Sequence, residues 1–130
     1  MHERIVVVAA VIEQHGRFLV ARRVTGTHLA GYWEFPGGKV HSGESYDEAL
    51  TREIAEELSC GISHLRKIFQ TAHVYLERTV ELHFFRCELI GTPESMLGQE
   101  LRWIRPDEFA SMEFPPADAE LIAGLIHERL

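Results

Sequence analysis

The chain has 130 residues, 45% of them apolar, with 20 acidic against 13 basic side chains and a formal charge of −7 at neutral pH. This is the length of one ordinary domain around one core, so the sequence predicts a single domain over residues 1–130. The acidity argues against a protein that coats nucleic acid through its phosphates, and the longest apolar run, Ile5 to Ile12, is too short to cross a bilayer. Cys60 and Cys87 lack Cys-x-x-Cys spacing, which indicates neither a zinc site nor a disulfide framework. With no basic leader ahead of an apolar stretch, the expectation is a cytoplasmic protein with reduced, buried cysteines.

In chain order, Arg4 to Glu13 is rich in Val and Ile, Glu13 to Gly16 carries a turn signal, and Arg17 to Arg23 resumes as a strand, which predicts a hairpin. Val24 to Tyr32 reads as a loop that ends at the short piece Trp33-Glu34-Phe35, and Pro36-Gly37-Gly38 predicts a sharp turn. Ser45 and Glu48 form a capping-box pattern that opens a helix, whose buried stripe is Leu50, Ile54 and Leu58. Gly61 is placed to close it in the left-handed conformation. Leu65 to Leu76 and Thr79 to Leu89 predict two strands joined near Glu77-Arg78, followed by a polar stretch from Ile90 to Gly98. Leu101 to Ile104 is a short strand, Pro106 suits a helix start, and Ala117 to Arg129 predicts a last amphipathic helix. Strands interrupted by helices give a mixed sheet with helices on both faces.

The acidity is concentrated: Glu44, Asp47, Glu48, Glu53, Glu56 and Glu57 lie within fourteen residues. At about 100° per helical residue, Glu53, Glu56 and Glu57 share an arc of about 100°. Carboxylates that close repel by roughly 3 kcal/mol per pair at an effective dielectric of about 20, which divalent cations offset most simply. An acidic helix face is ordinarily just solvated surface; a Gly-Gly turn, Glu44 and Arg52 at fixed offsets are not needed for that.

Gly38, Glu44, Arg52, Glu53, Ile54, Glu56 and Glu57 resemble the Nudix box: Gly, five residues, Glu, seven residues, Arg-Glu-aliphatic, any residue, Glu-Glu. The final Gly of that box is absent; Ser59 stands in its place, or Gly61-Ile62 serves two residues later. Trp33 to Lys39, Arg22-Arg23 and Phe114 to Asp118 extend the resemblance over most of the chain, toward the MutT branch. The resemblance implies an α/β (α+β) fold, the Nudix α/β/α sandwich with a mixed sheet. It implies hydrolysis of nucleoside triphosphates to monophosphate and pyrophosphate, with oxidised guanine nucleotides or (d)CTP and 5-methyl-dCTP as substrate classes. A catalytically silent nucleotide- or lesion-binding module is the reading from another class, although such modules usually lose the box carboxylates.

Carried over by position, Glu53, Glu56, Glu57 and the Gly38 carbonyl would bind Mg²⁺ or Mn²⁺. Arg52 would orient a carboxylate, Glu44 would support the corner before the helix, and Glu53 would be the base, with Glu100 in reserve as base or ligand. Arg23, with His28 or Lys39, would hold the outer phosphates; Phe35 and Arg78 would flank the base, and Asp118 would read its edge. Plainer readings stand beside these. Trp33 and Phe35 suit a core, Arg78 a turn, Asp118 a helix cap and Glu100 a solvated surface. The expected partner is a small nucleoside triphosphate, without a stable nucleic-acid complex or membrane, and the protein would be a monomer or homodimer.

Overall fold

The computed structural model describes residues 2–26 and 29–130. Ile5 to Ile12 is apolar without alternation, as suits a strand covered on both faces. Strand β1 (Glu3–Val11) takes that position, pairing in parallel with β7 (Arg78–Ile90) from Glu3↔Arg78 to Val11↔Arg86 and antiparallel with β5 (Gly37–Lys39). With β6 (Gly61–Val74) antiparallel to β7, the first sheet runs β5-β1-β7-β6. A second sheet centres on β3 (Arg17–Arg22), which pairs with β8 (Leu101–Ile104), β2 (Glu13–Gln14) and β4 (Trp33–Glu34).

One helix covers each face of the mixed sheet, as the sequence predicts. Helix α1 (Tyr46–Leu58) packs Leu50, Ile54 and Leu58 onto Val8 and Ala10 of β1, onto Ile12 just beyond it, and onto Phe85 and Cys87 of β7. Helix α2 (Ala119–Ile126) sets Leu121 and Leu125 in the opposite core with Val11, Phe18, Phe84 and Phe109. Burying each such side chain contributes about 1.5–3 kcal/mol. Both cysteines are free and buried.

Four local expectations change. The β1–β3 hairpin shrinks to Glu13↔Phe18 and Gln14↔Arg17, because β1 gains more by lying in the middle of the other sheet with both faces covered. Gly37 and Gly38 bend only at Pro36 and then continue as β5; a Cβ on Gly37 would run into the Val8 carbonyl, so glycine is what lets this strand approach β1. Ser59, not Gly61, takes the left-handed conformation at the end of α1 (φ 55°), and Gly61 opens β6. The last helix is shorter than Ala117 to Arg129: a 3₁₀ turn, Pro116–Asp118, precedes α2, and Glu128 reverses the chain at φ 55°.

Candidate active site

The Ser45 hydroxyl accepts the Glu48 N–H at 3.1 Å while Glu48 Oε1 accepts the Ser45 N–H at 2.8 Å. This capping box fixes where α1 starts, and hence the phase that turns its apolar stripe inward and leaves Arg52, Glu53, Glu56 and Glu57 beside the stripe. Arg52 is the hub. It donates to both Glu44 oxygens at 2.6 and 2.9 Å, to Glu53 Oε1 at 2.9 Å, to Glu56 Oε2 at 3.3 Å and to the Lys39 carbonyl at 3.0 Å. One forked cation thereby ties β5, the loop before α1 and two helix carboxylates together. Hydrogen bonds from Arg52, and then the His41 N–H, hold the Glu44 carboxyl down to about 2, so this anchor stays charged across the neutral range.

Glu57 turns the other way, its Oε2 accepting the Gly37 N–H at 3.1 Å. Burial first, then the neighbouring charges of Glu53, Glu34 and Glu56, push its carboxyl up to about 8. The Gly38 backbone runs directly beneath Glu53, since a Cβ there would occupy the space of that carboxylate. Glycine at this position therefore brings a backbone and an acid side chain together.

A cavity of about 400 Å³ opens beside β5, with Val7, Leu82 and Phe84 among its apolar walls and Arg23, Glu34, Lys39, Arg78 and Asp118 among its polar ones. Phe35 reaches it but is buried in the core, its ring edge-on to Phe84 at 6.0 Å and tilted against Phe114 at 5.7 Å. Trp33 is a core residue outside the lining, with the Arg102 guanidinium 4.7 Å from its ring centre. Asp118 stands at the N-cap of α2, just before Ala119, yet makes no capping bond; it is 6% exposed, and burial followed by the charge of Glu34 raises its carboxyl to about 7. Glu34 was not among the residues singled out by sequence. Its Oε2 accepts from Arg23 Nη1 at 2.7 Å, and burial raises its carboxyl against the opposing pull of Arg23. The available signal was an acid inside the otherwise apolar piece Trp33-Glu34-Phe35.

Glu100 is ion-paired with Arg102 at 2.8 Å and Arg22 at 3.8 Å, in a groove of about 610 Å³, and its ion pairs do not turn toward Glu53, Glu56 or Glu57. His28 lies outside the described residues.

A NUDIX domain model matches residues 7–124. The chain belongs to the NUDIX domain family. It is 34% identical over 131 residues to an 8-oxo-dGTP diphosphatase of Haemophilus influenzae, an alignment covering 98% of this chain and 96% of the relative. It is 36% identical over 121 residues to the CTP pyrophosphohydrolase of Escherichia coli, covering 92% and 90%. The solution structure of the E. coli ORF135 protein superposes with a TM-score of 0.86 at 34% identity, covering 98% of this chain and 92% of that one; a MutT structure from Staphylococcus aureus gives 0.81 at 32%, covering 98% and 99%. Nudix hydrolases generally need a divalent metal. The donors present suit a hard cation of that kind: carboxylates and backbone carbonyls, with Glu57 charged only at a cost because it is buried and its neighbours are acidic. Among the described residues no three of these side chains converge into a formed coordination group, since Arg52 draws Glu53 and Glu56 one way and Gly37 draws Glu57 another.

Proposed function

We propose that this chain is a single-domain Nudix pyrophosphohydrolase of nucleoside triphosphates, cytoplasmic, monomeric or homodimeric, acting on free nucleotides rather than on nucleic acid or membranes. One observation carries the reading. An apolar cavity of about 400 Å³ with a buried carboxyl at Asp118 is bounded by the same Gly37-Gly38 backbone on which the α1 carboxylates rest. A nucleoside occupies the cavity, and its phosphates extend toward Glu53, Glu56 and Glu57. Glu53, Glu56, Glu57 and the Gly38 carbonyl would hold Mg²⁺, or Mn²⁺ in its place, which would supply charge neutralisation to the polyphosphate. Arg52 holds the Glu53 carboxylate in position, Glu44 locks Arg52, and Glu53 accepts the proton of the attacking water. Arg23 and Lys39 hold outer phosphates, and Arg78 lies over the base.

Asp118 sets the choice of base. A protonated carboxyl offers one donor and one acceptor, the pair that complements the N7–H and O6 of 8-oxoguanine, and equally the N3 and N4 amino group of cytosine. The residue thus selects an edge shared by both substrate classes. The names of the two relatives above divide along the same line, and sanitation of oxidised (d)GTP is the first reading, with (d)CTP or 5-methyl-dCTP second.

The test is pyrophosphate release from 8-oxo-dGTP, dCTP, 5-methyl-dCTP and dATP at limiting concentration with Mg²⁺, compared as kcat/KM. Release from none of them overturns the proposal. Glu53→Gln should lower turnover by about 10²–10⁴-fold with the fold intact. Nucleotide binding without turnover in the unaltered chain would identify a silent binding module instead.

A further inference from the structure

Three hollows run on from one another. The 400 Å³ cavity shares Arg23, Glu34 and Gly37 with a smaller one of about 240 Å³, which also takes in Glu57 and Gln99. That one shares Arg22, Arg23, Val24 and Gln99 with the open groove of about 610 Å³. A triphosphate whose nucleoside fills the first hollow passes Glu57 in the second and reaches the arginines of the third. Gln99 lies where the second and third meet.

Its amide orientation is fixed. Gln99 Oε1 accepts the Leu97 N–H at 3.1 Å and lies 2.8 Å from the Ser95 hydroxyl, whose one proton it shares with the Gln99 carbonyl at 2.6 Å. A backbone N–H only donates, so the oxygen must face Leu97 and the NH₂ group must face away. No described residue accepts from that NH₂ group, which leaves two directed donors on a half-buried side chain. The loop carrying it is itself anchored to the end of α1, for the Glu94 N–H donates to the Leu58 carbonyl at 2.8 Å and the Met96 N–H to the Glu57 carbonyl at 3.0 Å. Helix carboxylates and Gln99 are therefore held in one frame.

We propose that the Gln99 side-chain amide binds the outer phosphates of the substrate, and the pyrophosphate that leaves, at the junction of the Glu57 hollow and the Arg22–Arg23 groove. Glu100 lines the same groove, but Arg22 and Arg102 already pair with it, so it does not compete for the amide. This inference rests on the pyrophosphohydrolase reading above and can fail separately from it.

Gln99→Glu tests it. The change keeps the Oε1 acceptor for Ser95 and Leu97 and replaces only the donors with a second oxygen, so the loop keeps its bonds. Gln99→Met is the companion variant, which removes the donors without adding charge. Expected in both are a rise of about tenfold or more in KM for the triphosphate and in the inhibition constant of pyrophosphate, larger for Glu. The Kd of the nucleoside monophosphate and the Tm of Gln99→Glu should stay as in the unaltered chain. A KM and pyrophosphate inhibition unchanged in both variants, in an enzyme that does release pyrophosphate, overturn the inference. A parallel loss of monophosphate binding overturns it too, by showing that the residue merely supports the loop. Absence of turnover in the unaltered chain instead defeats the underlying reading.

Discussion

Asp118 is an acid placed where water cannot solvate its charge and where Glu34 adds a second negative charge nearby. Its carboxyl is raised from 3.8 to about 7, so the stability tied to its proton is complete below about pH 4 and is lost as the pH rises through 7. In the proposed function the same proton decides recognition, because the neutral form pairs with a donor–acceptor edge and the ionised form only accepts. Asn offers both functions at every pH. The ratio of kcat/KM between the unaltered chain and Asp118→Asn, measured on the preferred substrate, should therefore fall on the order of tenfold between about pH 7 and about pH 8.5. Taking the ratio cancels ionisations that the two proteins share. A flat ratio across that range would remove the proton of Asp118 from base recognition.

Among the elements, α1 holds most of the chemistry, and its two ends are built differently. The first turn has a complete capping box, whereas Ser59, the C-cap after Leu58, sits at φ 55°, a conformation that costs an L-residue about 1–2 kcal/mol. Glycine adopts it freely but loses more entropy on folding. Ser59→Gly should thus stabilise the protein by about 0.5–1 kcal/mol, or about 2–4 °C in Tm, without altering activity, since no carboxylate moves. Thermal melts with matched assays decide this, and a lowered Tm would show that Ser59 makes a favourable contact greater than its strain. The N-terminal cap and the buried stripe of this helix were legible from sequence, because each is an offset of three or four residues along one continuous element; its left-handed end was expected at Gly61 and lies at Ser59. The partner of β1, the strand at Gly37–Lys39 and the burial of Glu34 and Asp118 were not. Those depend on which distant segments cover them: β7 lies some seventy residues beyond β1, and Asp118 is buried at a cavity whose other walls come from β1, β5 and β7, far from it in the chain. The acidic half of the candidate site is local in the chain and could be read there, whereas the cavity beside it is assembled from β4, β5 and the approach to α2.

At the scale of the molecule, the fold concentrates negative charge around one partly buried carboxyl. Burial first, then the charges of Glu53 on its own helix, Glu34 of β4 and Glu56, raise Glu57 from 4.5 to about 8, against the Gly37 N–H that favours its charge. The folded protein consequently carries a proton at neutral pH that the unfolded chain has released. This contribution to stability is complete below about pH 4.5 and is lost as the pH rises through 8. A divalent cation among these oxygens reverses the preference, because it favours the carboxylate and has to displace the proton. Binding of Mg²⁺ at about pH 7 should then release about 0.9 proton, the fraction a group with a pKa of 8 still holds there. Two measurements follow from one linkage. The calorimetric heat should vary with the ionisation enthalpy of the buffer, and the apparent Kd should fall by almost tenfold per pH unit between about 6 and 8 and level off above. Because the cation binds only the folded protein, the rise in Tm that it produces should grow over the same interval. Glu57→Gln has no proton to lose at this position and should bind more weakly with a heat independent of buffer. Buffer-independent heats in the unaltered chain, with binding intact, would place the cation away from Glu57.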